Sequence, residues 1–381
     1  MPRGYGIADT KNWTDFKVYD FELKKETDDD VDIAITHCGV CGSDVHTISG
    51  GWGPLNHDFC IPGHEIIGIA TKVGKNVKDI KVGDRVGVGA QVEIFYRTAF
   101  DTISIFFPFL RHPIVDSCGT CVPCKDDEEQ YCQGDESTKK GLVDTYNAEH
   151  FCGTKAMGGY STHIRTQQQF VFPIPEKIKS EHAAPMLCGG LTLFSPLIRN
   201  GAGPGKRVGI VGIGGLGHFG VMFAAALGAE VVAISHSPRK KEDALKMGAK
   251  QFVSTAEKPN WAEEYKKKPF DLIINTASSN AVDLVSIMST LKVHGRLICV
   301  GMPEDEFKVR IQNFAGNGCL MGSSHIGSKK EALQMLALAA EKNIQPWVEV
   351  IPMKDCSKAV KRVEDNDIRY RFVLVQDIER H

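Results

Sequence analysis

The spacing of apolar residues changes along the chain and separates two kinds of structure. Short Val- and Ile-rich runs broken by glycines fill residues 31–89, a pattern that predicts short strands in an irregular β region. From about residue 181 the pattern changes, and the apolar run at 208–211 is typical of a buried parallel strand. Helices and further strands follow in alternation, among them EVVAIS, DLIINTAS, GRLICVGM and NGCLMGSS. The sequence therefore predicts an α/β protein with a doubly wound parallel sheet.

The length of 381 residues exceeds one ordinary domain and predicts two. The helical pattern at 329–343 and the final strand pattern RYRFVLV are expected to return the chain to the first domain. We therefore predict a β-rich domain from residues 1–178 and 328–381, and a parallel-sheet domain from residues 179–327.

The charge of the chain is nearly balanced, with 45 basic and 47 acidic residues and a formal net charge of -2. Such a balance lacks the basic surface that nucleic acids and anionic membranes attract. No apolar run approaches the roughly 20 residues of a membrane span, and the first residues carry no apolar signal core. Twelve cysteines without such a signal favour thiols and metal ligands over disulfides. We expect a cytoplasmic protein that binds neither nucleic acid nor membrane.

The stretch EIFYRTAFDTISIFFPFLRHPIV, at residues 93–115, fits neither flanking pattern. It holds five of the nineteen phenylalanines, and its apolar core is too short for a bilayer and is interrupted by Pro108. A lid or partner-binding hairpin, an aggregation-prone segment and a translated intron are three explanations, and the residues alone do not decide between them.

Four cysteines lie close together in SCGTCVPCKDDEEQYC, residues 117–132, which we name the cysteine lobe. Their spacing in a loop-like sequence is typical of a tetrahedral Zn²⁺ site in which the protein fills every coordination position. Such a site is structural, because no position remains for a substrate. The four predicted ligands are Cys118, Cys121, Cys124 and Cys132.

A second set of metal-ligand candidates lies outside the cysteine lobe. Cys41, His64 and Cys188 come from the separate segments GVCGSDVH, GHE and LCGGLT, so only the fold can bring them together. Two cysteines and one histidine are a known ligand set for a catalytic zinc with an open fourth position. Asp44 is a candidate for orienting the histidine. The other cysteines are interpreted as small buried residues: Cys38, Cys60, Cys152, Cys299, Cys319 and Cys356.

The sequence GIGGLG lies between a predicted strand and a predicted helix, which is the setting of a dinucleotide-binding turn. Gly212 permits the tight turn, Gly214 lets the backbone approach the pyrophosphate, and Gly217 allows close helix–strand packing. The free N–H groups at the start of the helix favour the phosphates.

The end of the next predicted strand favours NADP over NAD. NAD-preferring sites place an acidic residue there to bind the ribose 2′-hydroxyl, whereas this strand ends at Ser235 and no carboxylate follows directly. Ser235 can donate a hydrogen bond to a 2′-phosphate, and Arg239 or Lys240 can neutralise its charge. A solvated helix start is the alternative interpretation of the two basic residues.

These motifs together resemble the zinc-dependent medium-chain alcohol dehydrogenases. GHE, GVCGSD, the cysteine lobe, LCGGLT, GIGGLG and RYRFVLV carry the resemblance over nearly the whole chain except residues 93–115. The pattern SxSxRKxEDAxKMGA is similar to the cinnamyl alcohol dehydrogenase branch. The resemblance implies a GroES-like catalytic domain beside a Rossmann domain, with two zinc ions per chain, NADP and a homodimer.

The resemblance also implies roles for particular residues. The second ligand set matches the family's catalytic zinc ligands, and Glu65 matches a carboxylate that enters the zinc shell when substrate is absent. Ser43 and His46 match the proton relay, while His236 departs from the basic residue of some relatives. The implied cofactor contacts are Thr192, Gly212, Gly214, Gly215, Leu216, Gly217, Ser235, His236, Lys240 and Arg371.

The expected activity is the reversible oxidation of a primary alcohol to an aldehyde, with Trp52 as a candidate wall for aromatic or long aliphatic substrates. An NAD-linked polyol dehydrogenase of the same fold is one alternative, and the absence of a carboxylate at Ser235 disfavours it. A non-catalytic zinc protein is another. The balanced charge and the acidic run at 126–129 argue against a nucleic-acid-binding form of it.

Overall fold

The computed structural model describes residues 1–94, 121–134, 141–279, 282–303 and 306–379. Cys118 of the cysteine lobe and residues 95–115 of the atypical stretch lie outside the described residues. Glu93 and Ile94, the first two residues of that stretch, belong to a strand that pairs with a neighbour. Within the described ranges, no helix combines the length and the apolar character needed to cross a membrane.

Strands dominate the first half of the described chain, and strands and helices alternate from residue 207 onward, as the apolar spacing predicts. The strands are β1 (Arg3–Gly6), β2 (Lys17–Asp20), β3 (Asp30–Val40), β4 (Ile66–Val73), β5 (Arg85–Val88), β6 (Gln91–Ile94), β7 (Leu142–Asp144), β8 (Ala148–Glu149), β9 (Lys155–Ala156), β10 (His163–Gln167), β11 (Val171–Pro173), β12 (Arg207–Val211), β13 (Glu230–Ser235), β14 (Gln251–Ser254), β15 (Phe270–Asn275), β16 (Leu291–Cys299), β17 (Leu320–Ser323), β18 (Val348–Pro352) and β19 (Arg371–Val375). The α-helices are α1 (Gly42–Ile48), α2 (Val122–Lys125), α3 (Ser180–Pro185), α4 (Leu191–Arg199), α5 (Gly217–Ala226), α6 (Lys241–Lys246), α7 (Trp261–Lys266), α8 (Leu284–Ser289), α9 (Gln312–Ala315), α10 (Lys329–Lys342) and α11 (Cys356–Glu364).

The first sheet is built around β3, which pairs antiparallel with β4 on one side and with β10 and β19 on the other. Its order runs β11-β5-β4-β3-β19-β18. The side chains of β3 are mostly buried, because helices and loops cover the sheet. Since β18 and β19 lie in this sheet, the C-terminal segment contacts the N-terminal half of the chain. The exact domain boundaries stay a prediction.

The second sheet is parallel throughout, with the order β14-β13-β12-β15-β16-β17. This order reverses direction at β12, which is the doubly wound arrangement that the alternation of strands and helices predicts. The central strands β12, β13 and β15 are buried on both faces, which explains their continuous Val and Ile runs. The predicted α/β fold class is therefore confirmed.

The bounds of α10 follow from its sequence. The Ser328 side chain accepts the Glu331 backbone N–H at 3.3 Å, and the Glu331 carboxylate accepts the Ser328 N–H at 3.0 Å. This reciprocal pair satisfies two free N–H groups at the helix start. The helix ends before Asn343, whose φ of 52° is left-handed, one residue short of the predicted end.

A buried ionic network joins β6 to the N-terminal region. The ammonium of Lys24 lies 2.8 Å from Glu93 Oε1 and 2.7 Å from Asp30 Oδ1, and all three side chains are buried. His150 Nδ1 donates to Glu93 Oε2 at 2.9 Å. Burial alone would raise the pKa of Glu93, but the His150 hydrogen bond and the Lys24 charge lower it to about 2.

We predict that Glu93→Gln destabilises the protein and changes how its stability depends on pH. A folded pKa below the ordinary value stabilises the fold above about pH 4.5, and this contribution disappears as the pH falls toward 2. At pH 7 the free energy of unfolding should fall by about 3 kcal/mol in this variant, measured by urea unfolding. The exposed Glu22→Gln serves as the control. Equal slopes of stability against pH in both variants, between pH 5 and 2, would contradict the prediction.

Candidate active site

Asp44 organises the first part of the site from the start of α1. Its Oδ2 accepts the backbone N–H of Cys41 at 2.9 Å, which fixes the cysteine immediately before the helix. Its Oδ1 accepts Nδ1–H of His64 at 3.0 Å, and the phenol of Tyr160 donates to Oδ2 at 3.3 Å. Asp44 is fully buried. Because Nδ1 carries the proton, Nε2 of His64 is left as the free lone-pair donor, which is how Asp44 can orient the histidine as the sequence suggested.

Cys188 lies beside His64 and Cys41 although it is distant from both in sequence. It lies in a single π-helical turn, Met186–Gly190, between α3 and α4. Such turns insert one extra residue and are frequent at functional sites. Cys188 Sγ lies 3.1 Å from His64 Nε2. The fold thus brings together the three ligand candidates that sequence spacing could not join.

Glu65 completes the cluster, because one ligand atom from each of Cys41, His64, Glu65 and Cys188 lies within 4.8 Å of the others. Glu65 Oε1 accepts the guanidinium of Arg371 and the Gly189 N–H. Its Oε2 has no hydrogen-bond partner although it is buried. Burial raises the pKa of Glu65, and the charge of Arg371 opposes that rise.

The donor set fits a zinc ion. Two thiols, an imidazole and a nearby carboxylate are ligands that Zn²⁺ prefers, and one oxygen of that carboxylate, Glu65 Oε2, has no hydrogen-bond partner. The hydrogen bond from Cys188 and the charges of Arg371 and His64 lower the pKa of Cys41, which favours the thiolate that binds metal. Cys41, His64 and Cys188 would hold the ion, with Glu65 at the edge of its shell.

The cysteine lobe presents a second thiol cluster. Ligand atoms of Cys121, Cys124 and Cys132 lie within 4.8 Å of one another, and the sulfurs of Cys121 and Cys132 are 3.8 Å apart. The Gly134 N–H donates to Cys132 Sγ at 3.4 Å. Cys118, the fourth predicted ligand, is outside the described residues. The three described thiols fit the predicted structural zinc site.

A cleft of about 1380 Å³ connects the catalytic ligand cluster with the glycine turn. Ser43 and His46 of α1 both line it, as the proton-relay prediction requires. Ser43 Oγ lies 3.7 Å from Cys41 Sγ. The imidazole of His46 stacks on the indole of Trp52, with ring centroids 5.1 Å apart. Trp52 is about half exposed and lines the cleft, where it can meet a substrate.

The glycine turn closes the other end of the cleft. Gly212 has a φ of +85°, which only glycine adopts easily. A Cβ on Gly217 would collide with the Gly212 carbonyl oxygen, so the helix can approach the strand only without a side chain there. An added Cβ on Gly215 would lie 3.2 Å from the Arg371 guanidinium. Further predicted cofactor residues that line the cleft are Thr192, Gly214, Leu216, Ser235, His236 and Lys240.

Lys240 and Arg239 differ in placement. The Lys240 ammonium lies over the Tyr370 ring, 5.3 Å from its centroid, and lines the cleft near Ser235. Burial and the neighbouring Arg369 and Arg239 lower the pKa of Lys240. Arg239 is exposed and does not line the cleft. Lys240 is therefore the better placed of the two basic residues for a 2′-phosphate.

Several cleft residues carried no signal in the sequence. Tyr146 packs its ring 5.6 Å from that of His64, while Asp144, His325 and Tyr370 form parts of the wall. Tyr146, Asp144 and His325 lie in segments without a recognisable motif, and the tertiary fold alone places them in the cleft. The TYN and GSSH segments have no spacing rule that would have singled them out.

Comparison with known proteins shows what the chain is similar to. The family model "Zinc-binding dehydrogenase" matches residues 215–341, and "Alcohol dehydrogenase GroES-like domain" matches residues 27–102. NADP-dependent alcohol dehydrogenase 6 of Saccharomyces cerevisiae is 41% identical over 98% of this chain and 96% of its own length. A Sorghum bicolor cinnamyl alcohol dehydrogenase structure covers 100% of this chain and 99% of its own, at 33% identity and a TM-score of 0.84. The structure of CAD from Helicobacter pylori complexed with NADP(H) covers 98% of this chain and 97% of its own, at 32% identity and a TM-score of 0.81.

We predict that Asp44→Asn weakens zinc binding at the Cys41–His64–Cys188 cluster. Asparagine cannot both accept His64 Nδ1–H and keep the other contacts of the carboxylate, so the ligand loses its fixed orientation. The affinity should fall roughly 10- to 100-fold, measured by competition with a chromogenic chelator and counted as zinc per chain. Asp32→Asn, which alters an ion pair with Arg165 outside the cleft, is the control. Equal zinc retention in both variants would contradict the assignment.

Proposed function

Because this chain belongs to the zinc-dependent medium-chain alcohol dehydrogenases, in the cinnamyl alcohol dehydrogenase branch, we propose that its cleft interconverts primary alcohols and aldehydes with NADP(H). One observation carries the proposal. The buried cluster of two cysteines and one histidine opens onto the same cleft as the glycine turn. A bound substrate can therefore meet the metal site and the nicotinamide together. Substrates with an aromatic ring or a medium to long aliphatic chain suit the indole of Trp52.

The residues around the ligand cluster do the positioning. Zinc, when bound, supplies Lewis-acid activation of the substrate oxygen, and NADP supplies hydride transfer. Asp44 holds the His64 ring in one orientation, and Arg371 holds one oxygen of Glu65, while the other oxygen has no hydrogen-bond partner. We propose that Glu65 completes the metal shell when no substrate is present.

The proton of the alcohol leaves through α1. Ser43 lies beside Cys41 at the inner end of the helix, and its hydroxyl can accept the substrate proton and donate its own. His46, one helical turn further on, also lines the cleft and can pass the proton to solvent. The stack on Trp52 fixes the plane of the imidazole ring. In the reductive direction the same two groups deliver a proton to the product oxygen.

Ser235 and Lys240 support NADP as the cofactor. A 2′-phosphate near the end of β13 would accept a hydrogen bond from Ser235. The ammonium of Lys240 would neutralise its charge, and His236 lies next to Ser235 in the cleft. No acidic residue occupies the position that an NAD-linked polyol dehydrogenase would use, which makes that alternative the weaker one. On the family resemblance alone, we propose a homodimer located in the cytoplasm.

The first test is the reduction of cinnamaldehyde by the purified protein with NADPH and NADH at equal concentration. We expect turnover that favours NADPH, and we expect Cys188→Ala to abolish it because a zinc ligand is lost. Cys319→Ala, at a buried cysteine outside the cleft, is the matched control. Full activity of the Cys188 variant would show that the cluster is not the catalytic centre.

Ser235→Asp should reverse the cofactor preference. A carboxylate at the end of β13 repels a 2′-phosphate and accepts hydrogen bonds from a ribose 2′-hydroxyl. The ratio of kcat/KM for NADPH to that for NADH should fall by at least about tenfold, since like charges placed together cost several kcal/mol. Ser235→Ala separates the added charge from the lost hydroxyl. An unchanged ratio in the aspartate variant would place the 2′-phosphate elsewhere.

A further inference from the structure

The first two residues of the motif RYRFVLV contact the segment that follows β13, although β19 belongs to the other sheet. The hydroxyl of Tyr370 donates to Asp243 Oδ2 at 2.6 Å, and Arg369 Nη1 donates to the same oxygen at 3.0 Å. Arg369 Nη2 donates to the backbone carbonyl of Arg239 at 3.2 Å. The C-terminal segment is thus attached to the start of α6, on both sides of Lys240 in sequence.

The ring of Tyr370 is held from several directions. It is buried, and it stacks on the imidazole of His218 with ring centroids 5.3 Å apart and planes 11° apart. The ring of Trp347 lies 5.8 Å away, and the Trp347 carbonyl accepts the Tyr370 N–H at 3.1 Å. A buried tyrosine normally finds a partner for its hydroxyl, and here that partner is Asp243. These contacts together fix both the place and the orientation of the ring.

Lys240 rests on this fixed ring. Its ammonium lies 5.3 Å from the ring centroid, within the range in which an aromatic face attracts a cation. In the part of the chain that the structure describes, no salt bridge joins Lys240 to a carboxylate. Asp243 has the spacing to pair with it, but Arg369 and Tyr370 bind that carboxylate instead. The charge of Lys240 therefore stays available to a ligand in the cleft that it lines.

We propose that Tyr370, held by Asp243, is a positioning residue that places the Lys240 ammonium for a 2′-phosphate and so strengthens the preference for NADP over NAD. The inference rests on the proposed location of that phosphate beside Ser235 and Lys240. Lysine has a long flexible stem, and ordering it on binding costs entropy. A ring that holds the ammonium beforehand lowers this cost, whereas a bond that only ties the two sheets together would not act on the phosphate.

The test compares two probes that differ only in the 2′-phosphate, 2′,5′-ADP and 5′-AMP. Calorimetry on the zinc-loaded protein gives both dissociation constants, and the selectivity is the constant for 5′-AMP divided by that for 2′,5′-ADP. Lys240→Ala should lower the selectivity by at least about tenfold, because a hydrogen bond between charged groups is lost. Tyr370→Leu removes the ring and should lower it about fivefold. Tyr370→Phe keeps the ring but loses its bond to Asp243, so its selectivity should lie between those of Tyr370→Leu and the wild type.

A double variant separates positioning from general damage to the fold. When Lys240→Ala is already present, adding Tyr370→Leu should change the selectivity by less than about twofold, because the ring then has no ammonium to place. Loosening between the two sheets would weaken both probes alike and leave the selectivity unchanged. Tyr265→Phe is the matched control and should keep the wild-type selectivity. It removes a hydroxyl that donates to Gln251 at 2.8 Å, away from the cleft.

Two results would overturn the inference. One is wild-type selectivity in folded Tyr370→Leu, and the other is an equal fall caused by Tyr370→Leu with and without Lys240. Should the leucine variant not fold, Tyr370→Phe and Asp243→Asn replace it, and wild-type selectivity in both would contradict the positioning role.

The outcome also separates this inference from the proposals beneath it. Wild-type selectivity in Lys240→Ala would remove the proposed phosphate site, and the positioning role with it. A loss in Lys240→Ala without one in the Tyr370 variants would leave that site intact and remove only the positioning role. Neither probe requires turnover, so a failure to reduce aldehydes would be recognised independently.

Discussion

The buried ion pair between Glu65 and Arg371 joins the two halves of the site. A carboxylate removed from water beside two thiols is unfavourable unless a cation compensates it, and the Arg371 guanidinium does so. The same guanidinium packs against Gly215 of the nucleotide turn. Arg371 begins β19 in the first sheet, whereas Gly215 follows β12 in the second. The pair therefore fixes the distance between the metal ligands and the cofactor turn, on which the shape of the cleft depends.

Local backbone features make room for this pair. A Cβ on Gly39 would collide with Glu65 Oε2, so the strand β3 must carry a glycine opposite the carboxylate. The π-turn at Met186–Gly190 places Cys188 among the ligands and directs the Gly189 N–H to Glu65 Oε1 at 3.3 Å. Without the extra residue of the π-turn, a regular α-helix would turn the residues that follow by about 100° about the helix axis relative to their observed direction. The irregular turn is thus a condition for the ligand cluster.

The sequence predicted the architecture better than the walls of the site. The apolar runs predict β12, β13 and α10, because buried positions recur once per turn in a helix and run or alternate along a strand. The Gly212–Gly217 turn is local, so its spacing was sufficient. Cys188 was a candidate only, since its meeting with His64, 124 residues away, depends on the tertiary fold. Asp144 and Tyr146 gave no signal, because a residue in a cleft wall needs no partner nearby in sequence.

The cysteine lobe acts on the cleft although its thiols lie outside it. Glu129 accepts the Lys329 N–H at 2.6 Å, and the Tyr131 hydroxyl accepts that of His325 at 3.0 Å. Both contacts attach the lobe to the segment that carries the strained Ile326. A short segment with few apolar residues has little core of its own, so a metal among its thiols would supply the rigidity that these contacts require. A metal bound by these thiols would thereby help to position the part of the cleft wall that carries His325 and Ile326.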